Sequence, residues 1–251
     1  MSRSAVWFAF LLAAGCGGNS SGERPDAGTP TSFDAAPPDA AGLPIVGFGV
    51  LSGDCDVLDD ELSSAAPSLF ESAIDFAAPF TDDEADQLSD GGQVILAEGN
   101  AGGSSLYSEI FAFELLARCE LAPLLKTETA IDYDQAGAIT DLLVAVDGEK
   151  IGVSVTRAVA FPFDDPYTAE QASELLERKL GDILESTAHV SAADRWQKQI
   201  LLVLAYGPAH ADAMREALAG IDEATRADTI VWILVTDGAD DFVYCDGPCD
   251  A

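Results

Sequence analysis

The residues best spaced for chemistry surround a hairpin. Leu142, Val144 and Val146 alternate along one run, Asp147-Gly148 supplies a two-residue turn, and Ile151, Val153 and Val155 alternate on the way back. With that loop length, Val146 faces Glu149, Val144 faces Ile151 and Leu142 faces Val153. Asp141 then falls opposite Ser154, with Thr156 one step along the same face. A second group, Asp54, Asp56, Asp59 and Asp60, has the composition of a calcium loop. It lacks the glycine at the sixth loop position, so a solvated acidic loop is expected. A third, Gly99-Asn100-Ala101-Gly102-Gly103-Ser104-Ser105, is a glycine loop feeding a helix start, where anions can bind. No Gly-Lys-Ser/Thr follows it, and a glycine turn with a serine N-cap is the expectation.

Other chemistry is thinly represented. The two histidines, His189 and His210, both fall at helix ends and read as surface or capping groups, and there is no Gly-x-Ser-x-Gly elbow. Beyond Cys16 stand Cys55, Cys119, Cys245 and Cys249, an even set that permits two disulfides in any of three pairings. Cys245 and Cys249 flank a Gly-Pro turn and can close a small loop, or the tail can be stapled back to the domain. Cys119, inside a helical pattern, reads equally as a buried free thiol. The spacing is unlike a zinc knuckle. With 44 acidic against 12 basic residues and a net charge of -32, the surface repels phosphates, which excludes nucleic acid as an expected partner. Trp196 and Trp232 lie next to or within strand patterns, which favours core packing over a sugar platform.

These groups need a frame. Residues 106–120 carry Ile110, Phe113, Leu116 and Ala117 at the helical period. Residues 168–171 form a capping box that opens a helix through Leu175, Leu176, Leu180, Ile183 and Leu184. Residues 200–205 are a continuous apolar run, the mark of a buried strand. Pro208 precedes a helix over 209–219 closed by Gly220, and a last apolar strand over 229–236 is ended by Asp237-Gly238. Helix, hairpin, helix, strand, helix, strand therefore make an α/β core over residues 99–244. Ahead of it, residues 45–98 read as an irregular N-terminal extension, with a short strand-like run at 93–97; residues 245–251 are a cysteine-containing tail.

Over residues 107–236 this order, with this hairpin, resembles the core of the PD-(D/E)XK nuclease superfamily, the restriction-endonuclease-like fold. The resemblance implies an aspartate at the start of the first hairpin strand, Glu-x-Lys or Asp-x-Lys on the returning strand, and often a glutamate on the first helix. Such carboxylates hold a divalent metal, and the lysine positions the attacking water. Asp141 takes the aspartate's place. Ser154-Val155-Thr156 stands in the Glu-x-Lys slot, where serine is a poor ligand for a hard cation and threonine carries no charge. Glu109 or Glu114 can stand for the helix glutamate, Glu128 is a further candidate, and Arg157 adjoins the slot but faces the other way. The leading expectation is a nonenzymatic, nuclease-like domain with a degenerate site, no cofactor, and a binding or assembly role towards a protein partner. The alternative is a metal-dependent hydrolase with migrated ligands: Asp141 with Glu109, Glu114 or Glu128 around a divalent ion.

The amino terminus has its own resemblance. Arg3, an apolar run over 5–14 and then Ala13-Ala14-Gly15-Cys16 resemble the lipobox signal of bacterial lipoproteins, although Leu12 lies one place further out than usual. This implies a signal peptide over 1–15, acylation of Cys16 with fatty chains such as palmitate, and anchorage in a lipid bilayer. Residues 16–44 then form the lipidated cysteine and a tether. The segment is mostly Gly, Ser, Asp, Ala, Thr and Pro, with Phe33 its only aromatic residue, too little apolar surface to offset ordering entropy. Gly17 in place of aspartate points to the outer membrane of the cell envelope.

Overall fold

The computed structural model describes residues 43–45, 48–100, 105–163 and 165–245. The chain divides into two units, Met1–Asp34 and Ala35–Ala251. The expected signal peptide, Cys16, nearly all of the tether, the glycine-rich stretch at 101–104 and Cys249 lie outside the described residues.

The second unit is built on one eight-stranded mixed sheet. Its strands are β1 (Leu43–Ile45), β2 (Gly49–Gly53), β3 (Ser68–Phe76), β4 (Leu124–Thr127), β5 (Leu142–Val146), β6 (Glu149–Ala158), β7 (Lys198–Tyr206) and β8 (Ile230–Gly238), in the spatial order β1-β2-β3-β8-β7-β6-β5-β4. The four central strands, β3, β8, β7 and β6, run parallel, and antiparallel hairpins extend the sheet at both sides. Among the described residues five α-helices complete the fold: α1 (Asp90–Glu98), α2 (Leu106–Cys119), α3 (Ala169–His189), α4 (Pro208–Gly220) and the short α5 (Glu223–Arg226).

The hairpin pairs as its alternation dictates, with Leu142 opposite Val153, Val144 opposite Ile151 and Val146 opposite Glu149. Asp147 and Gly148 both have positive φ, 52° and 86°, the backbone that a tight two-residue turn requires. β7 is buried along nearly its whole length because helices cover both faces of the sheet, so both sets of alternating side chains are apolar. Leu202 and Leu204 join Trp232 and Phe111 in the core beneath α1 and α2. Leu201 and Val203 join Leu176, Leu180 and Met214 in the core beneath α3 and α4. α3 opens on the expected capping box between Thr168 and Gln171.

Several expectations are corrected. Residues 45–98 are not an irregular extension: they supply the last residue of β1, all of β2, β3 and α1, and β3 pairs along its full length with β8. The run at 93–97 is helical, because Ser89 caps the preceding turn by accepting from the Gly92 N–H at 3.2 Å. A five-residue apolar run has no period that separates helix from strand. β4, four residues beside β5, was not anticipated. Gly220 ends α4, yet it is not among the glycines of positive φ. Asp237-Gly238 does not stop β8, which continues through both residues against Asp75 and Phe76. Ser105 stands at the N-cap of α2, but its hydroxyl makes no capping bond.

Candidate functional site

Asp141 sits immediately before β5, where the chain turns into the hairpin. One carboxylate oxygen, Oδ2, accepts the N–H of Val155 on the facing strand at 2.7 Å. Lys179, from α3, donates its Nζ to the carbonyl of the same Val155 at 3.3 Å. The peptide groups flanking Val155 are thus held by an acid on one side and a base on the other, beside the slot that Ser154 and Thr156 occupy. Burial raises the Asp141 carboxyl to about 6; the positive charge of Lys179 and the Val155 hydrogen bond oppose the rise, and the charge of Glu128 adds to it.

Glu109 approaches from α2. It is only 3% exposed, and its Oε1 accepts from the Ser105 hydroxyl at 2.7 Å and from the Asn100 amide at 3.3 Å. Its carboxyl is raised to about 7, first by burial, then by the negative charge of Asp141, with Ser105 and Asn100 drawing it down and Glu128 adding a smaller push. Glu128 belongs to a single 3-10 turn, Glu128–Ala130, directly after β4. Acids from α2, from the start of β5 and from this turn therefore feel one another's charge, and a lysine from α3 faces them.

Glu114 does not join this group. It lies fully buried on α2, accepts from the Ser89 N–H at 2.9 Å and the Ser89 hydroxyl at 2.6 Å, and pairs with Arg118 at 2.7 Å. Its work is structural: it anchors the start of α1 to α2. Ser154 is 5% exposed and Thr156 is half-buried. Arg157 donates to the Tyr244 carbonyl at 3.2 Å.

The donor set suits a small hard cation. Two buried carboxylates carry charge that burial and mutual repulsion both penalise, and a divalent ion would relieve both. Mg²⁺ is commonly held by one or two carboxylates while keeping several waters, whereas Ca²⁺ asks for six to eight oxygens. Among the described residues no group of three or more His, Cys, Asp or Glu is placed to hold a metal, so a closed protein cage is absent there.

The remaining candidates resolve differently. In the acidic loop, Asp54 Oδ2 accepts the Glu71 N–H at 2.8 Å and its carbonyl accepts from Ser72, so it ties β2 to β3. Cys55 and Cys119 form a disulfide, which removes the free-thiol reading of Cys119. Cys245 is also disulfide-bonded. His210 is a correction: it is 8% exposed, stacked on Tyr167 with ring centroids 5.1 Å apart, and neither ring nitrogen has a hydrogen-bond partner among the described residues. Burial lowers its pKa. Trp232 is fully buried and donates to Ser72 at 2.9 Å, and Trp196 covers Gly152, so both pack in the interior as expected.

Sequence does not single out Lys179, and it reads Asn100 and Ser105 only as part of the glycine loop, not as partners of Glu109. Lys179 carries a usable signal: it lies between Leu176 and Leu180, so its stem runs along the buried face of α3 towards the sheet.

No protein-family profile matches the chain. The AAC-rich mRNA clone AAC4 protein of Dictyostelium discoideum is 39% identical over 152 residues, covering 58% of this chain and 22% of that protein. The chain thus spans under a quarter of the length of this relative. Among solved structures, SfsA of Pyrococcus furiosus in complex with Ca²⁺ is similar over 53% of this chain and 56% of that one, at 15% identity and a TM-score of 0.28. A likeness at that score carries no argument; the mixed α/β architecture stands on the strand order and the two cores described above.

Proposed function

We propose that this is a lipid-anchored protein of the bacterial cell envelope whose nuclease-like α/β domain is a metal-dependent hydrolase with migrated groups. The observation that carries the reading is the convergence of Glu109, Asp141 and Lys179 from three separate elements. α2, the β5–β6 hairpin, α3, β7, α4 and β8 follow in the order read from the sequence, with β4 inserted between α2 and β5. Lys179 approaches from α3 beside the position where Thr156 replaces the strand lysine. The disulfide between Cys55 and Cys119 agrees with export to an oxidising compartment, as the amino-terminal segment implies.

Asp141 and Glu109 would hold Mg²⁺ or Mn²⁺ between them. Such an ion supplies charge for a phosphoryl oxygen and lowers the pKa of an attacking water. Holding the ion requires both carboxylates ionised, against the values of about 6 for Asp141 and about 7 for Glu109 in the metal-free protein, so metal binding should strengthen as pH rises through that range. Lys179 can donate to developing negative charge. The net charge of -32 disfavours a long polyanion, so the substrate is a small phosphoester.

A second reading, a retired site serving a binding or assembly role towards a protein partner, is favoured by the buried Ser154 in the ligand slot. Calorimetric titration of the full chain with Mg²⁺, Mn²⁺ and Ca²⁺ separates the two. Binding of Mg²⁺ or Mn²⁺ that Asp141→Asn and Glu109→Gln abolish, with turnover of a small phosphodiester, supports the hydrolase. Binding that is absent, or indifferent to both substitutions, leaves the retired site.

A further inference from the structure

A cavity of about 540 Å³ opens between the segment that leaves β3, the first turn of α2 and the single 3-10 turn after β8, Asp241–Val243. Three aromatic rings from these distant stretches meet in it: Phe80, buried at its floor, and Tyr107 and Phe242, half-buried at its sides. Ring centroids stand 5.6 Å apart for Phe80 and Tyr107, 5.9 Å for Tyr107 and Phe242, and 6.4 Å for Phe80 and Phe242, with interplanar angles of 75°, 75° and 43°. Phe76 and Phe111 pack behind them, 5.1 Å from Phe242 and 5.6 Å from Phe80, so the rings are fixed before any ligand arrives.

The mouth of the cavity is acidic. Asp82 and Asp83, both exposed, line it, and neither forms an ion pair among the described residues. None of the described residues that line the cavity is basic. Tyr107 donates its hydroxyl to Asp82 Oδ1 at 3.0 Å. Burial, and then the Asp82 carboxylate, raise the pKa of that hydroxyl, so it stays a donor, and the hydrogen bond pushes negative charge onto the ring. The negative faces of the rings and the carboxylates at the mouth therefore present the same sign to a ligand.

We infer that this cavity binds a small quaternary ammonium compound, its methylated head against Tyr107 and Phe242 and its charge facing Asp82 and Asp83. A cation over an aromatic face is held by the ring quadrupole, and a methylated ammonium is the head that such rings favour. Other ligands fail on the same walls. A divalent metal asks for six or more oxygens, and most of this lining is carbon. A primary ammonium is compact and strongly hydrated, and the rings hold no acceptor to replace its water. An anion is repelled by both carboxylates and by a chain with 44 acidic against 12 basic residues. The volume lies within the range of small-molecule sites and leaves room for a short tail on the head. Tyr107 and Glu109, two residues apart on α2, project about 200° apart around the helix, so the assignment does not depend on the hydrolase reading.

The test is calorimetry of the full chain with choline, phosphocholine, methylguanidinium and the dimethylbutanol in which carbon replaces the choline nitrogen. The expected result is saturable binding of choline, weakened about tenfold in Tyr107→Leu and largely kept in Tyr107→Phe, which retains the ring. Asp82→Asn combined with Asp83→Asn, at exposed positions outside the core, should weaken it severalfold, and Asp141→Asn should leave it unchanged. No saturation by choline, or binding indifferent to both Tyr107→Leu and the paired aspartate substitutions, overturns the site. Equal binding of the uncharged dimethylbutanol overturns the cation assignment, and tighter binding of methylguanidinium overturns the methylated head. Preference for phosphocholine assigns the cavity to a lipid headgroup and overturns the free solute.

Discussion

Glu109 and Asp141 hold protons towards neutrality because burial penalises their charge more than their hydrogen bonds relieve it. A carboxyl raised in the folded state is protonated there and ionised in the unfolded chain across the intervening pH range. Stability therefore falls as pH rises from about 4.5 to about 7, the interval that Glu109 spans. Asp141 adds to the loss between 3.8 and about 6. Each group contributes a slope on the order of 1.4 kcal/mol per pH unit within its own interval. Urea midpoints measured across this range should fall with rising pH, and Glu109→Gln should flatten the fall and raise stability at pH 8. Lys179→Met should lift the Asp141 titration further, as NMR of its carboxyl can follow, because the lysine charge favours the ionised form. Sequence reached Asp141 through the hairpin register and Glu109 through the nuclease resemblance. It could not separate Glu109 from Glu114, since both lie on α2 and only the packing of α1 turns Glu114 away.

At the scale of the element, legibility followed redundancy of signal. The β5–β6 hairpin had alternation on both arms and a turn dipeptide, and its register was readable pair by pair. β7 and β8 had long apolar runs, and α3 had a cap and a stripe. β4 is four residues long, with Lys126 spent on an ion pair to Asp194 at 2.6 Å, and offered nothing to the eye. β3 reads as mixed because Glu71, Ser72 and Asp75 sit among its apolar residues, although it is bound along its length to β8. Tight contacts make sharp predictions here. A side chain at Gly152 would meet the Trp196 ring at 2.9 Å, so Gly152→Ala should lower stability by about 1–3 kcal/mol in chemical denaturation. Trp232→Ala should lower it by about 3–5 kcal/mol, since a fully buried ring and its bond to Ser72 both vanish.

Across the whole molecule, the sheet is a common wall between two cores, and the Cys55–Cys119 bridge ties the segment after β2 to the end of α2. The bridge spans 64 residues, so Cys119→Ala should cost about 2–5 kcal/mol, read as a fall in Tm that reductant reproduces in the parent chain. The excess of acidic charge should make Tm climb with ionic strength as repulsion is screened. β3 and β8 have a further consequence. The third strand finds one of its two neighbours only in the last strand, roughly 160 residues later, and until then that edge has no ladder to join. The central sheet cannot close while the carboxyl-terminal part is still being made. A chain threaded outward through a membrane from its amino terminus would stay pliable until almost all of it had crossed, and would set into its final shape on the far side.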